Sequence, residues 1–149
     1  MTTTHTICSS FKQELLMGIH DLSSDDLKIA LFEENASLNR GTTEYTDEEE
    51  VSGSGYTAGG AALATVLGFP KLNESDEGAI PAGTIAIVDF DDTLFSSVTV
   101  EARYALIYNS SKDNRAIAVI DFAQTLIPDG GDFAIQWPLA TASKAIIRI

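Results

Sequence analysis

Hydrophobic positions along this chain recur mostly every second residue, the period of a strand with one face turned inward. Leu27 to Phe32 sets Leu27, Ile29 and Leu31 on one side and Lys28 on the other. Val98 to Tyr108 is the clearest such run. Val98, Val100, Ala102, Tyr104, Leu106 and Tyr108 share a face, and Glu101 and Arg103 lie opposite. The polar stretch Asn109 to Asn114 then turns the chain and Ala116 to Phe122 returns it, which predicts a hairpin. Two further apolar runs, Ala62 to Phe69 and Thr84 to Phe90, flank a polar loop from Lys71 to Gly83. Pro128-Asp129-Gly130-Gly131 predicts another turn, leading to Phe133, Ile135 and Trp137 on a common face, and Ile146 to Ile149 closes the chain as a strand.

One segment keeps a different period. Phe11, Leu15, Leu16 and Ile19 read as one helical face, with Ser10 as N-cap, Gln13 completing a capping box and Gly18 as the stop. Before it, residues 1–9 are Thr-rich and read as an extended N-terminal arm or edge strand. Residues 33–60 keep neither period: the acidic run Asp47-Glu48-Glu49-Glu50 precedes the glycine-rich stretch Ser52 to Gly60, which predicts one long surface loop. The pattern predicts a mainly β chain, β-sandwich or jelly-roll-like, with one short N-terminal helix. Residues 10–149 form a single domain on this reading.

Charge narrows the range of partners. The 149 residues carry a net charge of −13. Nucleic-acid affinity comes largely from Lys and Arg displacing counterions, so direct DNA or RNA binding is not expected, and anionic membranes are disfavoured for the same reason. The same acidity also serves plain solubility. Cys8 is the only cysteine, so no internal disulfide forms. Met1 to Ser10 lacks the basic start and apolar core of a secretory signal, and no apolar run reaches membrane-spanning length. The expectation is a soluble protein made in a cytoplasm.

Candidate chemistry is sparse. Ile85 to Leu94 contains Asp89-Phe90-Asp91-Asp92-Thr93, which is similar to the first motif of haloacid-dehalogenase-type phosphatases. There Asp89 would be the nucleophile and Asp91 the general acid/base, both helping to hold Mg²⁺. That fold needs a helix after the motif, whereas Ser96 to Asn109 alternates like a strand, and too little chain follows for the remaining βα units. Asp129, Asp132 and the Asp89-Asp91-Asp92 group offer oxygen ligands for Ca²⁺, but neither has the spacing of a calcium loop, and solvated turns are the simpler reading. The glycine-rich stretch lacks the lysine of a phosphate-binding loop, so flexibility or a close backbone contact with a partner accounts for it better. His5, His20 and Cys8 have no metal-ligand spacing, and the histidines read as surface or helix-end residues. Trp137-Pro138 reads as an anchor of sheet packing. No catalytic set, cofactor site or metal site is expected.

Several segments together resemble the small virion structural proteins of tailed bacteriophages. They are Phe11-Lys12-Gln13-Glu14-Leu15-Leu16, Leu27 to Phe32, Glu50 to Gly60, Ala102 to Ser111 and the closing stretch from Phe133 to Ile149. The resemblance implies a non-enzymatic capsid decoration or cement protein that binds assembled capsid as a homo-oligomer, with trimers favoured. Its partner would be the major capsid protein or another virion protein, and its location the virion. A neck, tail or fibre component, or a receptor- or glycan-binding module, is the alternative. The expected partner contacts are Thr2, Thr3 and Thr4 in the arm, which could add a strand to a neighbouring sheet, and Tyr45, Glu48, Glu49, Tyr56 and Thr57 in the long loop.

Overall fold

Ten strands and one helix make up the regular structure of residues 3–149 in the computed structural model. In chain order they are β1 (Thr4–Ile7), α1 (Ser9–Leu16), β2 (Leu27–Phe32), β3 (Ala61–Leu63), β4 (Lys71–Leu72), β5 (Ala86–Val88), β6 (Thr93–Thr99), β7 (Ala102–Asn109), β8 (Arg115–Leu126), β9 (Asp129–Ile135) and β10 (Ile147–Arg148). All strand pairings are antiparallel. The main sheet runs β1-β8-β7-β2-β3, and two smaller sheets, β10-β5-β4 and β6-β9, complete a sandwich-like mainly β fold.

Register explains why the main sheet is buried on both sides. Ile29 pairs with Ile107, which pairs with Ala118, and Leu31 pairs with Ala105, which pairs with Ile120. Directly opposed residues share a face, so this set lines one side. The helix and the smaller sheets pack there: Asn109 reaches His20 on that side, and Ile120 faces Phe133, Ile135 and Ile146. The other face carries Phe32, Tyr108, Leu106 and Val119. There Tyr45 of the 33–60 segment stacks on Tyr108 at 4.5 Å between ring centres and meets Phe32 edge-on. β2 is therefore a central strand without the solvated back face that Lys28 suggests, and Ala105 and Ile107 of β7 are as buried as Ala102 and Leu106.

The alternating run from Val98 to Tyr108 is two strands. The chain leaves the β6–β9 ribbon after Thr99 and enters the main sheet at Ala102. Alternation passes unbroken through such a corner, where a strand changes sheets. The turn expected at Pro128 to Gly131 is largely strand: Asp129 and Gly131 pair with Thr99 and Val98 across shifted register.

The helix begins at Ser9 with Cys8 as N-cap, and no side chain caps it. The Ser10–Gln13 capping box does not form, and the Ser10 hydroxyl is buried without a partner. The C-terminus does follow the sequence. Gly18, at φ +73°, closes a Schellman motif in which Gly18 N–H donates to Leu15 O and Ile19 N–H to Glu14 O. Leu16 is 92% exposed, and Glu14 is buried in its place beside Phe11. At ~100° per residue, five steps carry Leu16 roughly 140° from Phe11, whereas three carry Glu14 only about 60° away on the other side.

Two expected free segments are tied into the domain. The arm supplies β1, which pairs with β8 from Thr4↔Asp121 to Ile7↔Ala118, and Cys8 behind it is fully buried. The 33–60 segment has no regular strand, yet it completes the edge of β2 where three-residue β3 stops. Val51 N–H donates to Leu31 O, Glu33 N–H to Glu49 O, and Leu31 N–H to the Tyr56 hydroxyl. The glycine-rich stretch makes its close backbone contacts within the chain itself. A Cβ at Gly60 would lie 1.9 Å from Ile29 O, and one at Gly53 would lie 1.8 Å from Thr99 O.

Candidate functional site

Three groups of polar residues were candidates for chemistry, and the structure places each differently. The first was not foreseen as a group. His20, just past the helix, faces Glu14 Oε1 at 3.0 Å through Nε2 and the Asn109 side-chain nitrogen at 2.9 Å through Nδ1. A carboxylate only accepts and an amide nitrogen only donates, so these partners assign the ring a proton on Nε2 and none on Nδ1. Asn109 gives its second proton to Asp25 Oδ2 at 2.7 Å, and Asp25 Oδ1 accepts from Lys112 at 3.1 Å. Arg115 closes the other end on Glu14 Oε2 at 2.5 Å.

This chain of contacts has the acid–imidazole pairing of a relay but no working face. The side chain of His20 is 0% exposed, those of Glu14 and Asp25 are 9% and 7%, and no serine, threonine or cysteine hydrogen-bonds His20 among the described residues. Burial works against the Glu14 carboxylate, but hydrogen bonds from His20 and Arg115 outweigh it and hold its pKa below the ordinary value. Asp25 is held low in the same way, by the Asp21 N–H, Asn109 and Lys112 against the pull of burial. The group is a buried clamp joining α1, the 21–26 turn and the β7–β8 hairpin. His20 is thus an interior residue, not a surface one.

The second group is the long loop. Glu50 accepts from the Tyr45 hydroxyl at 2.6 Å, the Tyr56 hydroxyl at 2.7 Å and Gly59 N–H at 2.7 Å, and the Tyr108 hydroxyl donates to Gly59 O at 2.6 Å. Tyr45 and Tyr56, read as exposed contact residues, are half-buried braces whose hydroxyls are engaged within the chain. Burial raises both phenols, with the Glu50 charge adding to it, and burial with Glu50 pushes Tyr108 up to about 12. Above this base Glu44, Asp47, Glu48, Glu49 and Thr57 stand exposed. At the other end of the chain, Thr3 and Thr4 are exposed, Thr4 within β1, and Thr2 lies outside the described residues.

The third group is the acidic motif after β5. Asp89 O accepts from Val66 N–H, Asp91 N–H donates to Ala64 O, and Asp91 O takes the Trp137 indole N–H at 2.9 Å. Asp92 Oδ1 accepts Trp137 N–H at 3.3 Å. Strand β6 begins at Thr93, where the phosphatase motif requires a helix. Trp137 packs edge-on against Phe90 at 5.6 Å as the expected anchor, half-buried. Asp132 spends an oxygen on Ser97 N–H. No group of three or more His, Cys, Asp or Glu residues is arranged to hold a metal ion among the described residues.

No known protein family, curated protein or solved structure matches the chain.

Proposed function

We propose that this protein is a non-enzymatic structural component of a bacteriophage virion, a decoration protein that seats on the assembled capsid. The observation that carries the reading is the acidic crest Glu44, Asp47, Glu48 and Glu49, exposed on a loop braced from beneath by the Glu50–Tyr45–Tyr56 contacts. A braced loop loses little conformational freedom on docking, and a single-signed crest steers and orients a basic partner. Glu14, His20 and Asn109 spend their hydrogen bonds on one another and on neighbouring residues of the domain, which suits a rigid scaffold. The segments on which the resemblance to virion structural proteins rests include Leu27–Phe32 and Ala102 to Ser111, which contribute β2 and β7 of the main sheet, and Glu50 to Gly60, which braces the loop beneath the crest. On a particle, many weak copies add up through avidity.

The test is co-sedimentation with expanded capsids, counting bound copies per capsid subunit. Saturable binding at a fixed ratio is expected, weakened by salt and by Glu48→Lys with Glu49→Lys. Absence of binding, or binding that ignores both charge reversals, would overturn the crest as the docking surface.

A further inference from the structure

Strand β1 has one mated edge and one open edge. Cys8 N–H donates to Ile117 O at 2.9 Å, and the register continues through Thr6↔Val119 and Thr4↔Asp121. In an antiparallel ladder the residues between bonded pairs turn their main-chain groups away. The N–H and C=O of His5 and Ile7 therefore point outward, and among the described residues nothing bonds to them. Ser9, next in that series, is already covered by Arg40 O at 2.8 Å.

The other strand edges carry protective features of the kind that block edge pairing; on β6 the register shifts between Phe95 and Thr99, Ser97 sits at φ +52°, and Thr99 N–H is already taken by Ser54 O. β3, β4 and β10 have three, two and two residues. β9 carries Asp129 and Asp132 and a shifted register. β1, Thr-His-Thr-Ile, has no carboxylate, lysine, arginine, proline or bulge, and three of its four residues are β-branched and favour strands.

We infer that β1 is a self-association edge, on which the β1 of a second copy pairs antiparallel about a two-fold axis and joins the two main sheets into one. Charge selects the second copy as the occupant. A chain with net charge −13 repels its own copies wherever carboxylates meet. Two grooves flank β1. The one beside β9, about 530 Å³, is lined by no Asp, Glu, Lys or Arg side chain. The other holds Arg40 and Asp121, and Asp121 is already spent on Arg103 at 2.8 Å. A basic partner strand would meet Arg40 there and no free carboxylate. Centred on His5, the pairing sets His5 against the same residue of the other copy and Ile7 against Thr3. An isologous contact of this kind closes at two copies.

Sedimentation equilibrium of the full chain, with amide exchange on the same samples, tests this. A dimer is expected, with His5 and Ile7 amides protected increasingly as concentration rises. His5→Pro removes the central N–H of each copy from the bridge and leaves the β8 side of the ladder intact, since edge strands tolerate proline. It should raise Kd by roughly tenfold to thirtyfold. His5→Lys, which keeps the N–H but opposes two charges, should also favour monomer, and unchanged far-ultraviolet circular dichroism shows that either variant is folded. A wild-type monomer at all concentrations, a trimer as the assembled species, or a dimer unmoved by both folded variants would overturn the inference.

Discussion

Arg115 donates to Glu14 at 2.5 Å, so the start of β8 and the N-terminal helix, 101 residues apart in the chain, share one part-buried contact. Around it His20, Asn109, Asp25 and Lys112 leave no member of the clamp without a partner. Such a network has most effect when it is complete, because removing one member strands the others in a poorly solvated place.

Glu14→Gln should lower stability at neutral pH by about 2–3 kcal/mol. The sign of its pH dependence follows from a folded pKa below the ordinary carboxylate value. The Glu14 contribution is complete above the unfolded pKa of about 4.3 and is lost as pH falls through the folded value. Urea titrations of wild type and variant should therefore converge as pH is lowered. Parallel curves would show that Glu14 is not the titrating group.

The tyrosines predict the opposite limb. Phenols raised by burial and by Glu50 contribute stability that is present below their unfolded pKa of about 10 and lost as pH rises through the folded values. Absorbance of phenolate at 295 nm should show Tyr45, Tyr56 and Tyr108 ionising late and together with unfolding. Glu50→Ala, which leaves two hydroxyls and the Gly59 N–H without their acceptor, should cost about 2–4 kcal/mol by urea titration.

Backbone crowding separates the glycines. Gly60→Ala sets a methyl against Ile29 O at positive φ, and Gly53→Ala sets one against Thr99 O. Each should destabilise by about 3 kcal/mol or more. Gly131→Ala meets nothing within 4 Å and should stay within about 0.5 kcal/mol of wild type. Thermal melts of the three variants side by side distinguish crowding from a general intolerance of alanine.

Cys8 offers a built-in reporter. Burial first, and the Glu14 charge second, push its thiol up to about 11. A disulfide reagent at neutral pH should modify the native protein only as fast as the domain opens, and one equivalent should react at once in denaturant. Rapid labelling without denaturant would contradict the burial of the first turn of α1.

The alternating runs at Leu27–Phe32 and Ala102–Asn109 and the hairpin after them were legible because period two survives burial of one or both faces. Corners and partners were not. Nothing in the run through Val98, Val100 and Ala102 marks the change of sheet, which depends on what lies opposite. Glu14 reads as solvated helix surface until Arg115 and His20 are brought to it. Tyr45 and Tyr56 read as exposed because their neighbours in sequence are acidic and glycine-rich, whereas their acceptor, Glu50, lies inside the acidic run itself. The glycines did announce close approach, but not to which carbonyls. The candidate contact residues that stayed on the surface are those with the simplest local chemistry: Thr3, Thr4, Glu48, Glu49 and Thr57.

The pairing of Thr4–Ile7 with Ala118–Asp121 also fixes an order of events during synthesis. On a ribosome adding about 5–20 residues per second, β1 is made several seconds before the strand it docks on. Through that interval the Thr4–Ile7 segment has no strand to pair with and the thiol of Cys8 is uncovered. The main sheet can close only when β8 has cleared the exit tunnel, so its completion joins the earliest strand to one made more than a hundred residues later.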